Sequence, residues 1–127
     1  TKCDYISNTI KKTFPMGLRV QVFPTRLLRE IYNTIDDPAV NEHVSLYFYE
    51  NPKQYNIQNL SAPDEINRPD IRLTVDTKED FEFVTNIYKK IINKSLYPKF
   101  KVSDIINFID IDRIPVSNKF IKSKPVR

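Results

Sequence analysis

Arg72-Leu73-Thr74-Val75-Asp76-Thr77-Lys78-Glu79-Asp80-Phe81 is the stretch on which the reading of this chain turns. Ile71, Leu73 and Val75 alternate with Arg72, Thr74 and Asp76, which predicts a β-strand over 71–76 with one apolar face. Thr77 stands where a helix N-cap belongs, and Asp80, three residues on, closes a capping box. Phe81, Val84, Tyr88 and Ile91 then recur at helical spacing, predicting a helix to about 92 with these residues facing inward. Asp76 thus falls at the carboxyl end of a strand and beside a helix start. Open α/β sheets hold ligands and metals at such places.

Working outward, Leu18 to Phe23 alternate as a second strand, with Leu18, Val20 and Val22 inward. Gly17, the only glycine, precedes it and marks a positive φ or a close backbone approach. From Thr25 the period changes to that of a helix, with Leu27, Leu28, Ile31, Tyr32 and Ile35 on one face, ended by Asp36-Asp37-Pro38. Ala39–His43 reads as a helical turn, Val44–Tyr49 as an aromatic-rich strand, and 55–60 as a weaker one. Pro63 and Pro69 make 61–70 a loop. Beyond Pro98, Val102, Ile105, Ile106 and Ile109 mark a short helix capped by Ser103, and Ile114-Pro115-Val116 closes the folded part. These segments predict an α/β fold, a mixed sheet with flanking helices. The expected organisation is one domain over 1–116 and a basic tail over 117–127.

The composition narrows the chemistry. Of 127 residues, 40% are hydrophobic, enough for a core. No apolar run approaches the ~18 residues of a membrane span, so a soluble, cytoplasmic protein is expected, with no membrane partner. A single cysteine, Cys3, excludes an internal disulfide and argues for a reducing compartment. One Cys and one His (His43) do not make a four-ligand zinc site, so a metal here requires oxygen ligands and is a hard ion such as magnesium. The pI near 9.1 does not signal a nucleic-acid binder. Without Lys119, Lys122, Lys124 and Arg127 of the tail, 16 basic residues face 16 acidic ones.

Three segments carry a family likeness. Thr13-Phe14-Pro15-Met16-Gly17-Leu18-Arg19-Val20, then Asn41 to Pro52 (Asn-Glu-His-Val-Ser-Leu-Tyr-Phe-Tyr-Glu-Asn-Pro), then Arg72 to Phe81 occur in that order. Together they resemble the carboxy-terminal half of the CMP-sugar synthetases, a cytidylyltransferase family. The branch is that of spore-coat polysaccharide biosynthesis, related to the acylneuraminate and 3-deoxy-manno-octulosonate cytidylyltransferases. The resemblance implies part of a nucleotide-diphospho-sugar-transferase-like sheet. It also implies an enzyme that joins CMP, from CTP, to an acidic or related sugar with magnesium and release of pyrophosphate, and that works as a homodimer. On this likeness Asp76 is the metal ligand, and His43 lies by the sugar pocket and the dimer contact.

The chain departs from the family pattern in two places. It has no counterpart of the basic, glycine-rich loop after the family's first strand, which suggests a fragment, and Gln21 stands where a glutamate is usual. Each candidate also has a plain structural role. Asp76 can serve the helix dipole rather than a metal, and Asp80 is read as structural. Arg72 can bind phosphate or a sugar carboxylate, or pair with an acid. Gly17, Gln21 and His43 are the remaining substrate-side candidates, with Gly17 near the sugar pocket or simply in a turn. Tyr47 and Tyr49, placed on a strand with Ser45, pack in the core or at an interface. No general base is identifiable. The alternative function is a non-catalytic remnant, a dimerising or sugar-binding module without the nucleotide-binding half.

Overall fold

Tyr5-Ile6-Ser7 is too short to show a period in sequence, yet it is the centre of the sheet. The computed structural model describes residues 2–122 and 124. Strand β1 (Tyr5–Ser7) pairs antiparallel with β2 (Gln21–Val22), Ile6 opposite Val22, and parallel with β3 (Ile57–Asn59), Tyr5 opposite Ile57. The order is β2-β1-β3. Three helices follow β2 in sequence: α1 (Thr25–Thr34), α2 (Pro38–Glu42) and α3 (Leu46–Glu50). This mixed α/β arrangement is the expected fold class. Within the span expected as one domain, the chain forms two compact units.

The first unit holds residues 2–12 and 19–61. Its core joins Tyr5 to Leu27, Ile31, Val40, Leu46 and Phe48. Tyr5 stacks on Phe48 at 5.1 Å between ring centres, Phe48 meets Phe23 at 5.0 Å, and Tyr55 closes edge-on at 4.9 Å. Burial of each such side chain contributes about 1.5–3 kcal/mol. Asp37 caps α2 by accepting from Ala39 N at 2.9 Å, so the expected helical turn is a helix begun by Asp-Pro.

Two expectations are corrected here. Val44–Tyr49 is not a strand: Leu46–Glu50 is helical, entered through a turn in which Leu46 N donates to His43 O at 2.8 Å. A six-residue apolar run does not fix its own period, and the core of Tyr5 and Tyr55 selects the helical one for Leu46 and Phe48. The strand over 18–23 shrinks to Gln21–Val22 with its faces reversed. Val20 and Val22 are exposed, whereas Phe23 packs on the core and Gln21 is half-buried.

The second unit comprises Thr13–Leu18 and Ala62–Lys122. A 3-10 turn (Asp64–Ile66) leads to helices α4 (Lys78–Asn93) and α5 (Val102–Asp110). Phe83, Ile87 and Ile91 of α4 pack on Ile105 and Phe108 of α5. The expected inner face is therefore corrected: Phe81 and Tyr88 are exposed, and the buried stripe is Asp80, Phe83, Ile87, Ile91. Its first position is a charge, which hides the stripe from a hydrophobicity pattern. The start of α5 is held by Asp104, which accepts from Lys101 N at 2.7 Å, not by Ser103. The fold also continues past Val116, because Asn118 is only 1% exposed. Residues 123 and 125–127 of the expected tail lie outside the described residues.

Residues 71–76 run extended but form only one parallel bridge, Met16 opposite Arg72, with Met16 N on Ile71 O at 2.8 Å and Leu73 N on Met16 O at 2.7 Å. The expected ladder strand is thus a single-bridge extended segment; Ile71 is buried and Val75 exposed. Both readings of Gly17 hold at once. Its φ is +106°, and a Cβ there would lie 2.9 Å from Thr74 N and 3.0 Å from Leu73 C. Gly17→Ala is expected to cost about 1–3 kcal/mol in urea unfolding, since neither backbone neighbour can rotate away.

Candidate functional site

Thr77 Oγ1 accepts from Asp80 N at 3.2 Å, and Asp80 Oδ2 accepts in return from Thr77 N at 3.1 Å, which is the capping box expected from sequence. Asp80 does more than cap. Its side chain is 0% exposed, and it meets Arg72 in a two-pronged contact, Nε on Oδ1 at 2.8 Å and Nη2 on Oδ2 at 3.0 Å. Asp76 N donates to the same Oδ2 at 3.1 Å, and Asn118 Nδ2 to Oδ1 at 2.8 Å.

The electrostatics follow from these contacts. Arg72 holds the Asp80 carboxyl far below the usual carboxylate range; burial opposes this, and Asn118 with the two backbone N–H groups assists it. Asp80 raises Arg72 in turn.

Arg72 reaches two further groups. Its Nη2 donates to Asp76 Oδ2 at 2.9 Å and its Nη1 to Met16 Sδ at 3.3 Å. The Arg72 side chain is 10% exposed, whereas that of Asp76 is 71% exposed. The arrangement has an inner and an outer carboxylate on one guanidinium. The inner one is committed to the protein; the outer one faces solvent beside the N-terminus of α4, whose dipole favours a negative charge.

Among the described residues, no three His, Cys, Asp or Glu side chains gather as a metal cluster. A hard cation such as magnesium takes one or two protein carboxylates with water and phosphate, so a lone aspartate is one ligand of such a site and not the whole of it. Asp76 is the residue that would hold the ion. Asp80 has its carboxylate filled from within.

Of the five candidates, Gly17, Arg72 and Asp76 come together in the second unit, Gly17 against the backbone of Leu73 and Thr74. His43 and Gln21 belong to the first unit. His43 ends α2 rather than preceding a strand, and Gln21 pairs with Ser7 in the sheet. Tyr47 and Tyr49 lie on α3, and Tyr47 packs on the core. The first unit also holds an apolar cavity of about 470 Å³, lined in part by Leu28, Ile31, Tyr32 and Val40.

Asn118 escaped the sequence reading because it stands among the lysines of the expected tail, and no local spacing ties it to Asp80.

Fold and site together define a mixed α/β chain with a solvent-facing aspartate beside the start of a capped helix. In particular, the chain is similar to part of a spore coat polysaccharide biosynthesis protein, and its fold matches part of a cytidylyltransferase. It is 34% identical over 98 residues to the spore coat polysaccharide biosynthesis protein SpsF of Bacillus subtilis, covering 76% of this chain and 39% of that one. An uncharacterized protein of Methanocaldococcus jannaschii is 31% identical over 127 residues, 98% of this chain and 49% of its own length. A cytidylyltransferase of Leptospira borgpetersenii superposes with a TM-score of 0.76 at 26% identity, over 95% of this chain and 48% of that one. No family model matches the chain. The chain spans half or less of the length of these relatives. No helix among the described residues is long and apolar enough to cross a membrane.

Proposed function

We propose that this chain is the sugar-side part of a cytidylyltransferase that makes a CMP-sugar from CTP. The reaction is in-line attack by the sugar's anomeric hydroxyl oxygen on the α-phosphorus, with the bond to pyrophosphate breaking. The observation that carries the reading is the Asp76 carboxylate, exposed yet anchored by Arg72, in a chain whose relatives include a cytidylyltransferase. Magnesium, when bound, neutralises charge building on the phosphates.

Asp76 supplies the oxygen that holds the ion, and Arg72, occupied by Asp80, keeps that oxygen in place. Gly17 lets the chain pass close beside Leu73 and Thr74, which puts the 13–18 segment near the same edge. His43 and Gln21 are proposed for sugar recognition, His43 by hydrogen bonding to a carboxylate or hydroxyl. A homodimer in the cytoplasm belongs to the same reading.

Calorimetric titration of the full protein with CTP tests it. Binding is expected with magnesium and should weaken by about tenfold or more when the ion is chelated. Equal affinity in both conditions counts against the metal role, and no binding in either favours a sugar-binding or dimerising module.

A further inference from the structure

We propose that Asn118 is a positioning residue: one amide group, donating to both Asp80 and the Arg72 carbonyl, fixes the Arg72 guanidinium and so sets where Asp76 stands. Its Nδ2 donates to Arg72 O at 3.0 Å and to Asp80 Oδ1 at 2.8 Å. Both partners are acceptors, so the orientation of the amide is fixed by chemistry. The residue is 1% exposed, where water does not compete for these bonds.

The two ends of Arg72 are thereby tied through one side chain. Asn118 grips the arginine's main chain directly and its guanidinium by way of Asp80. On the inner carboxylate, Oδ2 is held by the backbone N–H groups of Asp76 and Thr77 as well as by Arg72 Nη2. Oδ1 faces Arg72 Nε, and Asn118 is its second donor. Without Asn118, Oδ1 keeps a single donor and the Arg72 carbonyl loses its amide, so the two-pronged contact loosens and Arg72 Nη2 no longer presents one place to Asp76. The link to function rests on Asp76 being the metal ligand; the link to Arg72 does not.

The test measures both links in the full chain. Hydrogen exchange at Arg72 Nε–H, followed by NMR, reads the guanidinium. Manganese binding in the presence of CTP, followed by electron paramagnetic resonance, reads Asp76. The unaltered protein is expected to show a protected Arg72 Nε–H. In Asn118→Ala, and in Asn118→Leu, which keeps the branched shape but cannot donate, that exchange should quicken at least roughly tenfold. Manganese should bind about ten to a hundred times more weakly, the range for groups that orient a metal ligand. Asp76→Ala should lose manganese and keep the Arg72 protection.

Free exchange at Arg72 in the unaltered protein overturns the proposal whatever the variants do, as does unchanged exchange in a folded Asn118 variant. Faster exchange with manganese affinity unchanged overturns its reach to Asp76. Manganese binding that survives Asp76→Ala sinks the metal reading alone, and the exchange data then decide the role of Asn118.

Discussion

Asp80→Ala should be among the most destabilising single changes in this chain, at about 3–5 kcal/mol, because it removes the buried carboxylate of the Arg72 pair and leaves the exposed Asp76 to balance that charge. The Arg72 side chain is 10% exposed and its Nε and Nη2 both lean on Asp80. Loss of the capping box adds about 1 kcal/mol. Against a total of about 5–15 kcal/mol for a domain, this is enough to unfold much of the population. The check is the urea midpoint at neutral pH; a loss under about 1 kcal/mol would contradict the account. Replacing the pair together, Arg72→Met with Asp80→Leu, should cost less than Asp80→Ala alone, since no buried charge is left without its buried counter-charge.

The same carboxylate sets an acid limit. Its pKa is depressed in the folded state, so its stabilisation is complete above the unfolded value of about 3.9 and fades as pH falls below it toward the folded value. Asp70, lowered by Arg68, and Asp112, lowered by Lys94, act in the same direction. Stability from these groups should hold flat from neutrality to about pH 4 and drop beyond, with a shallower drop in Asp80→Asn.

Asp76→Ala should do the opposite: leave the fold nearly untouched and remove the reaction. The carboxylate is 71% exposed and pairs with an arginine that Asp80 already satisfies, so the stability change should be under about 1 kcal/mol. Magnesium-dependent pyrophosphate release by the full protein should fall by at least about a hundredfold, beyond the usual effect of groups that merely orient a ligand. Unchanged release would rule out the metal role. Asp76→Asn should fall nearly as far, because the amide keeps the shape and loses the charge that binds the ion.

These two aspartates show what the sequence made legible. The capping box was readable because Thr77 and Asp80 lie three residues apart and act through local backbone. Helices α1, α4 and α5 and strand β3 were readable from period and breakers. The strand over Val44–Tyr49 was misread because a short aromatic run takes its period from what it packs on. Strand β1 was missed because three residues carry no pattern. On α4 the visible apolar series, Phe81 and Tyr88, lies outside, while the true inner stripe begins with a charge whose partner, Arg72, sits in a different element. Asn118 was invisible for the same reason: its meaning depends on an acid 38 positions away.

The aromatic cluster of the first unit has an optical consequence. The chain has no tryptophan and 7 tyrosines, so tyrosine dominates its near-ultraviolet signals. Tyr5, Tyr47 and Tyr55 sit in or against packed rings of the first unit, whereas Tyr88 and Tyr97 of the second are exposed. A thermal melt followed by near-ultraviolet dichroism therefore watches one unit and is nearly blind to the other. Far-ultraviolet dichroism reports the helices of both units, so a far-ultraviolet loss that runs ahead of or behind the near-ultraviolet one would reveal that the units melt independently.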